Sequence, residues 1–210
     1  MMLFEIPKND LLKRLINQLN SFFEVSDIEI DVIQSLSSEV FQRCEYNFSK
    51  NKNKYYSRDG KVYFNPNHSG QYTVFLYYFS NSIFNAGKDS VALADKIYYL
   101  NRIMNACDLF YEVKLPEIFS LDHPLGSIIG RAQFGNYFAF SQNCTVGNNK
   151  NIYPTIGEDV TMKANTMILG DSKIGNNVIL GAGACVKDQD IPNDSLVFGS
   201  SPNLIIKKRK

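Results

Sequence analysis

Histidine is the side chain that most readily takes up and releases a proton near neutral pH, and this chain has two of them. His123 lies in the stretch LDHPLGSIIG, directly after the carboxylate of Asp122. A neutral imidazole held beside a substrate hydroxyl can act as a general base. His68, in NPNHSGQY, has no such surroundings, and we interpret it as a structural or helix-start residue. His123 is therefore the candidate catalytic residue.

The spacing of the cysteines indicates that they pack in the core and do not bind a metal. Four are present, and none forms a C-x-x-C pair: Cys44, Cys107, Cys144 and Cys185. This spacing makes a metal cluster a poor interpretation. Unpaired thiols that pack inside a protein are typical of a reducing compartment. We therefore predict buried free thiols, no metal and a cytoplasmic location.

A repeat of six residues organises the second half of the chain. Aliphatic residues recur at every sixth position along the ladder Ile156, Met162, Ile168, Ile174, Leu180 and Val186. The same spacing joins Phe134, Phe140 and Val146. A period of six fits neither a helix nor a strand, and a repeat at fixed period is the signature of a hexapeptide β-helix. The sequence therefore predicts a parallel β-helix in preference to a β-sandwich with accidental spacing.

The ladder has irregularities where functional loops are expected. Its first coils, from Asp108 to Gly130, fit the repeat poorly, and the spacing slips by one residue between Ile129 and Phe134. The segment GNNKNIYPT, residues 147–155, interrupts the repeat with loop-forming residues. Loops on a rigid scaffold are where binding sites are commonly built. We therefore predict that residues 147–155 form an excursion from the β-helix.

The first half of the chain has helical periodicity. Apolar residues at helical spacing predict helices over about 9–24, 31–48, 70–86 and 89–106. The polar residues 49–61 predict a loop, and KVYFNP after it predicts a short extended segment. The fold class is thus α+β, with a helical domain at 1–106, a β-helix domain at 107–204 and a basic C-terminal tail at 205–210. We assign the aromatic residues of the helical domain to packing and assembly.

Composition excludes several classes of partner. The net charge is +1, so the whole chain offers no electrostatic basis for binding nucleic acid. No apolar run approaches the length of a membrane span. The start, MMLFEIPKNDLLKR, carries acidic and polar residues too early for a signal peptide. A globular protein without a membrane span is therefore expected.

The ladder, together with LDHPLGSIIG, resembles the hexapeptide-repeat acyltransferases, and most closely their serine O-acetyltransferase branch. That branch carries a similar L-D-H-x-x-G-x-x-x-G stretch, whose histidine is the general base, and an Asp fifteen residues upstream that orients it. The resemblance implies a left-handed β-helix and a homotrimer with sites between subunits. The helical half could pair two such trimers into a dimer of trimers. By the same resemblance, His123 is the base, Asp108 its orienting residue and Asp122 a substrate contact.

The resemblance also implies acetyl-CoA as co-substrate, lying in the groove between two β-helices. A backbone N–H in the turn Gly147–Asn148 would bind the oxyanion of the reaction. Small residues on successive coils, Ala164 and Ala182, would line the groove. Lys187 could reach the nucleotide phosphates. The basic residues Lys207, Lys208, Arg209 and Lys210 could also do so, although a solvated tail is the simpler interpretation.

One departure from the family concerns the acceptor. Serine acetyltransferases carry D-R-H-P in the excursion loop, where the Arg and His bind the serine carboxylate, whereas this chain has Asn151, Ile152, Tyr153 and Pro154. Ile152 cannot pair with a carboxylate, so Tyr153 becomes a candidate substrate contact. We therefore expect an O-acetyltransferase acting on a saccharide or sugar-linked hydroxyl in surface polysaccharide biosynthesis.

Two alternative functions stay open, and the residues present weaken two others. Serine O-acetylation for cysteine biosynthesis and N-acetylation of an amino-sugar would use the same histidine chemistry. A β-helix carbonic anhydrase needs three histidine ligands for its metal, and His123 is the one histidine of the ladder region. A non-catalytic scaffold would not need the pairing of His123 with Asp108.

Overall fold

The structure, a computed structural model, describes residues 1–51, 53–87 and 91–209. These residues form two compact units, Met1–Asn105 and Ala106–Lys210. Within the described ranges, no helix is both long and apolar enough to cross a membrane. The same residues contain no group of three or more His, Cys, Asp or Glu side chains that could hold a metal ion.

The first unit contains the four predicted helices. They are α1 (Lys8–Asn20), α2 (Asp27–Ser49), α3 (Ser69–Ala86) and α4 (Val91–Asn105). The predicted start of the last helix, at 89, lies outside the described residues. Helix α2 begins four residues earlier than the apolar pattern indicates, because Ser26 caps it. The Glu29 N–H donates to Ser26 Oγ at 3.3 Å, and the Ser26 N–H donates to the Glu29 carboxylate at 2.9 Å.

Helix α3 is the centre of this unit. It is buried over most of its length, and Phe75 and Phe79 are fully buried. Aromatic rings pack around it, since Phe75 lies 5.0 Å from Phe79 and 5.4 Å from Phe64 between ring centroids. His68 is the N-cap, and its Nδ1 accepts a hydrogen bond from the Gln71 N–H at 3.3 Å. The interpretation of His68 as a helix-start residue is therefore confirmed.

A small sheet stands where the sequence predicted a loop and one extended segment. Lys54–Tyr56 forms a 3₁₀ turn, and three short strands follow or precede it: β1 (Leu3–Phe4), β2 (Ser57–Arg58) and β3 (Lys61–Phe64). Strand β3 pairs antiparallel with β2 and parallel with β1. The pattern of residues 49–61 did not reveal β2, because two-residue strands are formed by pairing partners and not by local propensity.

The second unit is a parallel β-helix of about four coils, which confirms the predicted fold class. Its inward residues are those of the six-residue ladder, and Met162, Ile168 and Leu180 are completely buried. The strands are β4 (Phe119–Leu121), β5 (Ile128–Ile129), β6 (Gln133–Phe134), β7 (Phe138–Phe140), β8 (Thr145–Gly147), β9 (Thr155–Ile156), β10 (Val160–Met162), β11 (Met167–Leu169), β12 (Lys173–Ile174), β13 (Val178–Leu180), β14 (Cys185–Lys187), β15 (Ser195–Phe198) and β16 (Ile205–Lys208).

Three sheets form the sides of the β-helix. The first sheet has the order β16-β15-β13-β10-β7-β4, the second sheet β14-β11-β8-β5 and the third sheet β12-β9-β6. The lower coils repeat every eighteen residues, since Met167 pairs with Cys185 and Thr155 pairs with Lys173. The excursion at 147–155 is confirmed, because Thr145 pairs with Met167, twenty-two residues later. The coils therefore stack in register and carry the extra residues in one turn.

Glycines allow the coils to stack closely at the turn after the third sheet. A Cβ on Gly135 would lie 2.5 Å from the Gly157 carbonyl carbon, and one on Gly157 would lie 2.9 Å from that of Gly175. A Cβ on Gly175 would lie 2.6 Å from the Asn193 nitrogen. Real Cβ atoms do not approach backbone so closely, so these three positions require glycine.

The C-terminal residues form a strand where the sequence predicted a solvated basic tail. Strand β16 runs antiparallel to β15, with Phe198 opposite Ile205 and Ser195 opposite Lys208. The Arg209 N–H then donates to the Asp194 carbonyl at 2.7 Å. Strand β15 would otherwise present unpaired backbone groups at the end of the first sheet, and β16 satisfies them. Lys210 lies outside the described residues.

Candidate active site

His123 lies in a lengthened turn between the first and second sheets, which we call the histidine corner. The inward residues on its two sides, Leu121 and Ile129, are eight positions apart, whereas Phe140 and Val146 in the next coil are six apart. Asp122 is in register with Ser141, and Leu125 with Gln142. The two additional residues are therefore His123 and Pro124. The insertion moves the histidine outward from the stacked coils.

The geometry of this insertion exposes the imidazole. His123 has φ 51°, and its carbonyl accepts a hydrogen bond from the Leu125 N–H at 2.8 Å. Its side chain is 85% exposed, and that of Asp122 is 77% exposed. The distance from His123 Nε2 to Asp122 Oδ1 is 3.7 Å. The carboxylate is thus close to the imidazole but beyond hydrogen-bond distance, and both groups are open to an approaching molecule.

Asp108 precedes the histidine corner in the chain and pairs with the strand that leaves this corner, β5. It forms a parallel bridge with Ile128, its N–H donates to the Ser127 carbonyl at 2.8 Å, and its carbonyl accepts from the Ile129 N–H at 3.0 Å. The residue is half-buried. Its backbone is therefore fixed beside residues 127–129, in the coil that carries His123. The orienting role of Asp108 remains a prediction.

Two predicted groove residues lie in register in the coils that follow this one. The Asn143 N–H donates to the Leu125 carbonyl at 2.9 Å, the Asn165 N–H to Gln142 at 3.0 Å, and the Gly183 N–H to Ala164 at 2.9 Å. These bonds place Leu125, Gln142, Ala164 and Ala182 one above another at the histidine corner. Ala164 is half-buried and Ala182 is exposed. Their small side chains leave room for an extended molecule to lie along this row.

The other predicted site residues lie at the next turn, between the second and third sheets, which we call the loop corner. Gly147 pairs with Leu169, and Leu169 pairs with Lys187. Asn148 follows Gly147 and is exposed, as is Tyr153 with 42% of its surface accessible. The second sheet, about 10 Å wide for its three-residue strands, separates this group from His123. One chain therefore presents the predicted site as two separate groups.

The excursion is a tight hairpin fixed to the coil below it. Asn149 and Ile152 exchange backbone hydrogen bonds of 3.1 and 2.9 Å. Lys150 and Asn151 between them have φ 52° and 63°. Asn149 Nδ2 donates to Asp188 Oδ2 at 2.5 Å. The hairpin is thus held in one position, with Ile152 and Tyr153 exposed beside it.

Two residues that the sequence did not single out also lie at the histidine corner. The Lys163 N–H donates to the Leu180 carbonyl, which places Lys163 in the row of Asp122, Ser141 and Gly181. The Phe198 ring lies against Gly181, where a Cβ would be 2.5 Å from the ring. Lys163 follows the inward residue Met162 as Asp122 follows Leu121, and this equivalent position is the signal that could have identified it. Phe198 closes the lower end of the row.

The cysteines play no part at these corners. All four are free, as the sequence predicted, and Cys44, Cys107 and Cys144 are buried. The prediction of burial is wrong for Cys185, which is half-buried because its neighbour Val186 is the inward residue of β14. Burial, with a smaller effect of the Asp108 charge, raises the pKa of Cys107 to about 12. Burial also raises the pKa of Cys44. Both thiols therefore stay protonated at neutral pH and are poor nucleophiles.

Comparisons with known proteins agree with this geometry. Residues 153–188 match the family described as bacterial transferase hexapeptide (six repeats). A serine acetyltransferase of Synechococcus elongatus is 30% identical over 114 residues, which cover 52% of this chain and 46% of that protein. A serine acetyltransferase of Staphylococcus aureus is 27% identical over 157 residues, which cover 67% of each. The chain thus spans about half of the first relative and two thirds of the second.

Serine acetyltransferases are also among the solved structures that have a similar fold. The crystal structure of a Neisseria gonorrhoeae serine acetyltransferase superposes with a TM-score of 0.72 at 22% identity, over 98% of this chain and 82% of that one. Similarity at this identity establishes the fold. The chain therefore has the fold of the serine acetyltransferases, with hexapeptide repeats over residues 153–188, and the resemblance read from its sequence is confirmed.

Proposed function

We propose that this protein is an acetyl-CoA-dependent O-acetyltransferase with His123 as its general base. The observation that carries the proposal is the insertion of His123 at the head of the row formed by Ala164 and Ala182. This arrangement places a group that accepts protons at one end of a path suited to an extended thioester. The similarity to acetyltransferases over the repeat region supports the same activity.

In the proposed reaction, Nε2 of His123 takes the proton of the acceptor hydroxyl while its oxygen attacks the thioester carbonyl carbon. The carbon–sulfur bond then breaks, and the CoA thiolate leaves and takes the proton from the imidazolium. The Asp122 carboxylate, 3.7 Å from Nε2, stabilises the imidazolium in between. Asp108 would hold the ring in the required orientation. The acetyl group passes directly to the acceptor, with no acyl-enzyme.

The oxyanion donor and the acceptor contacts would come from the loop corner. The Asn148 N–H and the exposed Tyr153 lie across the second sheet from His123 in one chain. A homotrimer would complete the site by placing the loop corner of one copy against the histidine corner of the next. Acetyl-CoA would then lie between the two copies, with its chain along Ala164 and Ala182 and its phosphates near Lys187 or Lys163.

L-Serine is the first acceptor that we propose, because the similar proteins are named serine acetyltransferases. A saccharide hydroxyl is the second candidate, and one specific observation favours it. Ile152 and Tyr153, both exposed, occupy the loop where a charged pair would hold an amino-acid carboxylate. The uncharged pair Ile152 and Tyr153 suits a neutral hydroxyl compound better than a zwitterion.

The test is thiol release from acetyl-CoA with a panel of acceptors, with the product identified by mass spectrometry. The panel contains L-serine, O-linked sugar alcohols, nucleotide sugars and amino-sugars. Wild type should release thiol with one class, and the His123→Ala variant should not. Thiol release with serine would establish the first candidate and contradict the saccharide. Absence of thiol release with every class, in protein that binds CoA, would contradict the proposed transferase activity.

A further inference from the structure

The helical unit contains a cavity that the proposed reaction does not use. Its volume is about 220 Å³, and it lies between the 3₁₀ turn, the β2–β3 hairpin and the start of α3. Seven residues line it: Lys54, Tyr55, Ser57, Arg58, Tyr63, Asn65 and His68. Two of the seven are cationic, three are aromatic or imidazole rings, and none is a carboxylate. This composition is typical of a site for an anion that carries a flat ring.

Arg58 is held rigidly at the wall of the cavity. Its guanidinium carbon lies 3.8 Å from the centroid of the Tyr63 ring, and Nη1 donates to the Glu5 carboxylate at 2.9 Å. Tyr63 also donates its hydroxyl proton to Glu5. These hydrogen bonds, first from Tyr63 and then from Arg58, lower the pKa of Glu5, so the pair stays charged. A guanidinium has five N–H donors, so a fixed Arg58 can also bind a phosphate without losing Glu5.

The surrounding backbone adds positive potential. The turn Asp59–Gly60 has φ 52° and 72°, and it pairs Arg58 directly with Lys61 across the hairpin. Residues opposite each other in antiparallel strands share a face, so Lys61 adds a cation beside Arg58. Helix α3, eighteen residues long, begins next to His68, and the start of a helix carries positive partial charge. Three cations, Lys54, Arg58 and Lys61, therefore lie near two carboxylates, Glu5 and Asp59.

Aromatic rings form the other side of the cavity. The Tyr55 ring is 57% exposed and lies 5.8 Å from the His68 ring between centroids. Lys54 Nζ lies 5.1 Å from the Tyr55 centroid, which keeps this ammonium group at the cavity mouth. A planar ligand can stack on Tyr55 while its charged end faces Arg58.

A second cavity in the same unit is less suited to an anion that carries a flat ring. It is lined by five α1 residues and by Ser21, which follows the helix: Asp10, Lys13, Arg14, Asn17, Gln18 and Ser21. Lys13 pairs with Asp10 at 3.7 Å, and Arg14 donates to Asn67 at 2.9 Å. Lys13 is therefore paired with a carboxylate, Arg14 is engaged by an amide, and none of the lining residues is aromatic.

We propose that the cavity of the helical unit binds an organic phosphate with a planar ring, of the chemical class of a nucleoside diphosphate. The phosphates would lie against Arg58, Lys54 and the start of α3. The ring would stack on Tyr55. This site is separate from the acetyl-transfer chemistry of His123 and would operate whatever the acceptor is.

The test is calorimetric titration of the full chain with UDP, inorganic pyrophosphate and uridine. An excess of CoA is present throughout, so that any nucleotide groove of the β-helix is already occupied. UDP should bind most tightly, pyrophosphate more weakly, and uridine not measurably. The affinity should fall as salt is raised, because exposed ion pairs are screened. No binding of UDP or pyrophosphate at millimolar concentration would overturn the proposal.

Variants assign the binding to this cavity. Arg58→Gln should weaken UDP binding by about tenfold or more, as expected when a charge-assisted phosphate contact is lost. Lys54→Gln should weaken it less, because an ammonium group acts as a point charge whereas a guanidinium can bind a phosphate through two N–H groups. Lys13→Gln, in the second cavity, is the matched control and should leave UDP affinity unchanged. Thermal unfolding of each variant checks folding. UDP affinity that is equal in all three variants and wild type would refute this location.

Discussion

At the scale of single residues, the important feature is that two residues are inserted where the histidine stands. The insertion gives His123 a left-handed backbone conformation and an exposed ring, 3.7 Å from Asp122. A residue placed in this way is accessible to an acceptor and is supported by a carboxylate. It also has few packing contacts to lose when it is replaced. Its function can therefore be tested with little effect on the fold.

Replacing His123 by Ala should lower turnover by roughly 10²–10⁴, the usual effect of removing a positioned base. Affinity for acetyl-CoA should be unchanged, because its proposed contacts lie on later coils. Steady-state thiol release and calorimetry measure the two quantities. His68→Asn is the control, since Asn also caps a helix, and it should keep wild-type turnover. Wild-type turnover in His123→Ala would remove the histidine from the mechanism.

Asp122→Asn should reduce turnover less than His123→Ala does, because the amide keeps the shape but loses the charge that stabilises the imidazolium. The reduction should be greatest at low ionic strength, where an exposed charge is least screened. Turnover measured across a salt series tests this. A reduction that does not vary with salt would indicate that Asp122 contacts the acceptor directly instead.

The sequence nominated candidate site residues but did not predict their arrangement. Two histidines and one D-H pair were enough to nominate His123. The family resemblance nominated Ala164 and Ala182, which the structure places in one row. The spacing alone did not show that Gly147 and Tyr153 lie across a sheet from the histidine. That separation depends on which turn of each coil a residue occupies. Because the first coil fits the repeat poorly, the sequence did not show which turn holds His123.

At the scale of elements, the glycines after the third sheet control how closely the coils stack. Gly157→Ala should lower the free energy of unfolding by about 1–3 kcal/mol, because the new methyl group overlaps the backbone of Gly175. Gly147→Ala is the matched control, since its Cβ would meet Leu169 at an ordinary 3.6 Å. Denaturant unfolding measures both. Equal stability of the two variants would mean that the coils shift apart at little cost.

The start of α2 allows a test with pH. Ser26→Ala should lower the free energy of unfolding by about 1 kcal/mol through loss of the capping hydrogen bond. Burial acts to raise the pKa of Glu29, but hydrogen bonds from Lys96 and Ser26 outweigh it, and the pKa is lowered from 4.5. The stabilisation by Glu29 is therefore complete above about pH 4.5 and is lost as pH falls through the lower folded value.

Glu29→Gln should accordingly be less stable than wild type at pH 7, and the difference should shrink when the solution is acidified below pH 4.5. Urea unfolding at a series of pH values measures this difference. A gap that stays constant with pH would show that the Glu29 carboxylate contributes no charge interaction with Lys96.

Helices and the regular coils could be predicted because each has its own period. Strands β1, β2 and β16 could not, since each forms by pairing with a distant or irregular partner. Strand β16, with the sequence IIKK, has all four residues exposed and no apolar alternation. Only the free edge of β15 makes it a strand.

At the scale of the whole molecule, the open side of the second sheet indicates assembly. Ile128 is 50% exposed and Met167 is 40% exposed, and Leu125 and Ile152 at its two margins are more than 45% exposed. We expect a homotrimer that covers these residues. Light scattering should give three times the chain mass at micromolar concentration. Met167→Lys should produce monomers with little activity, whereas a fully active monomer of the wild type would contradict the shared site.

The eighteen-residue step of the lower coils has a consequence for chains of other lengths. Met167 pairs with Cys185, Thr155 with Lys173 and Val160 with Val178, all at the same offset. Duplication or loss of one such segment preserves every pairing, so the β-helix can change length by a whole coil without losing its register. Each coil added or lost moves Phe198 about 4.8 Å relative to His123. Among chains that differ in this way, the length of the preferred thioester carrier would increase with the number of coils.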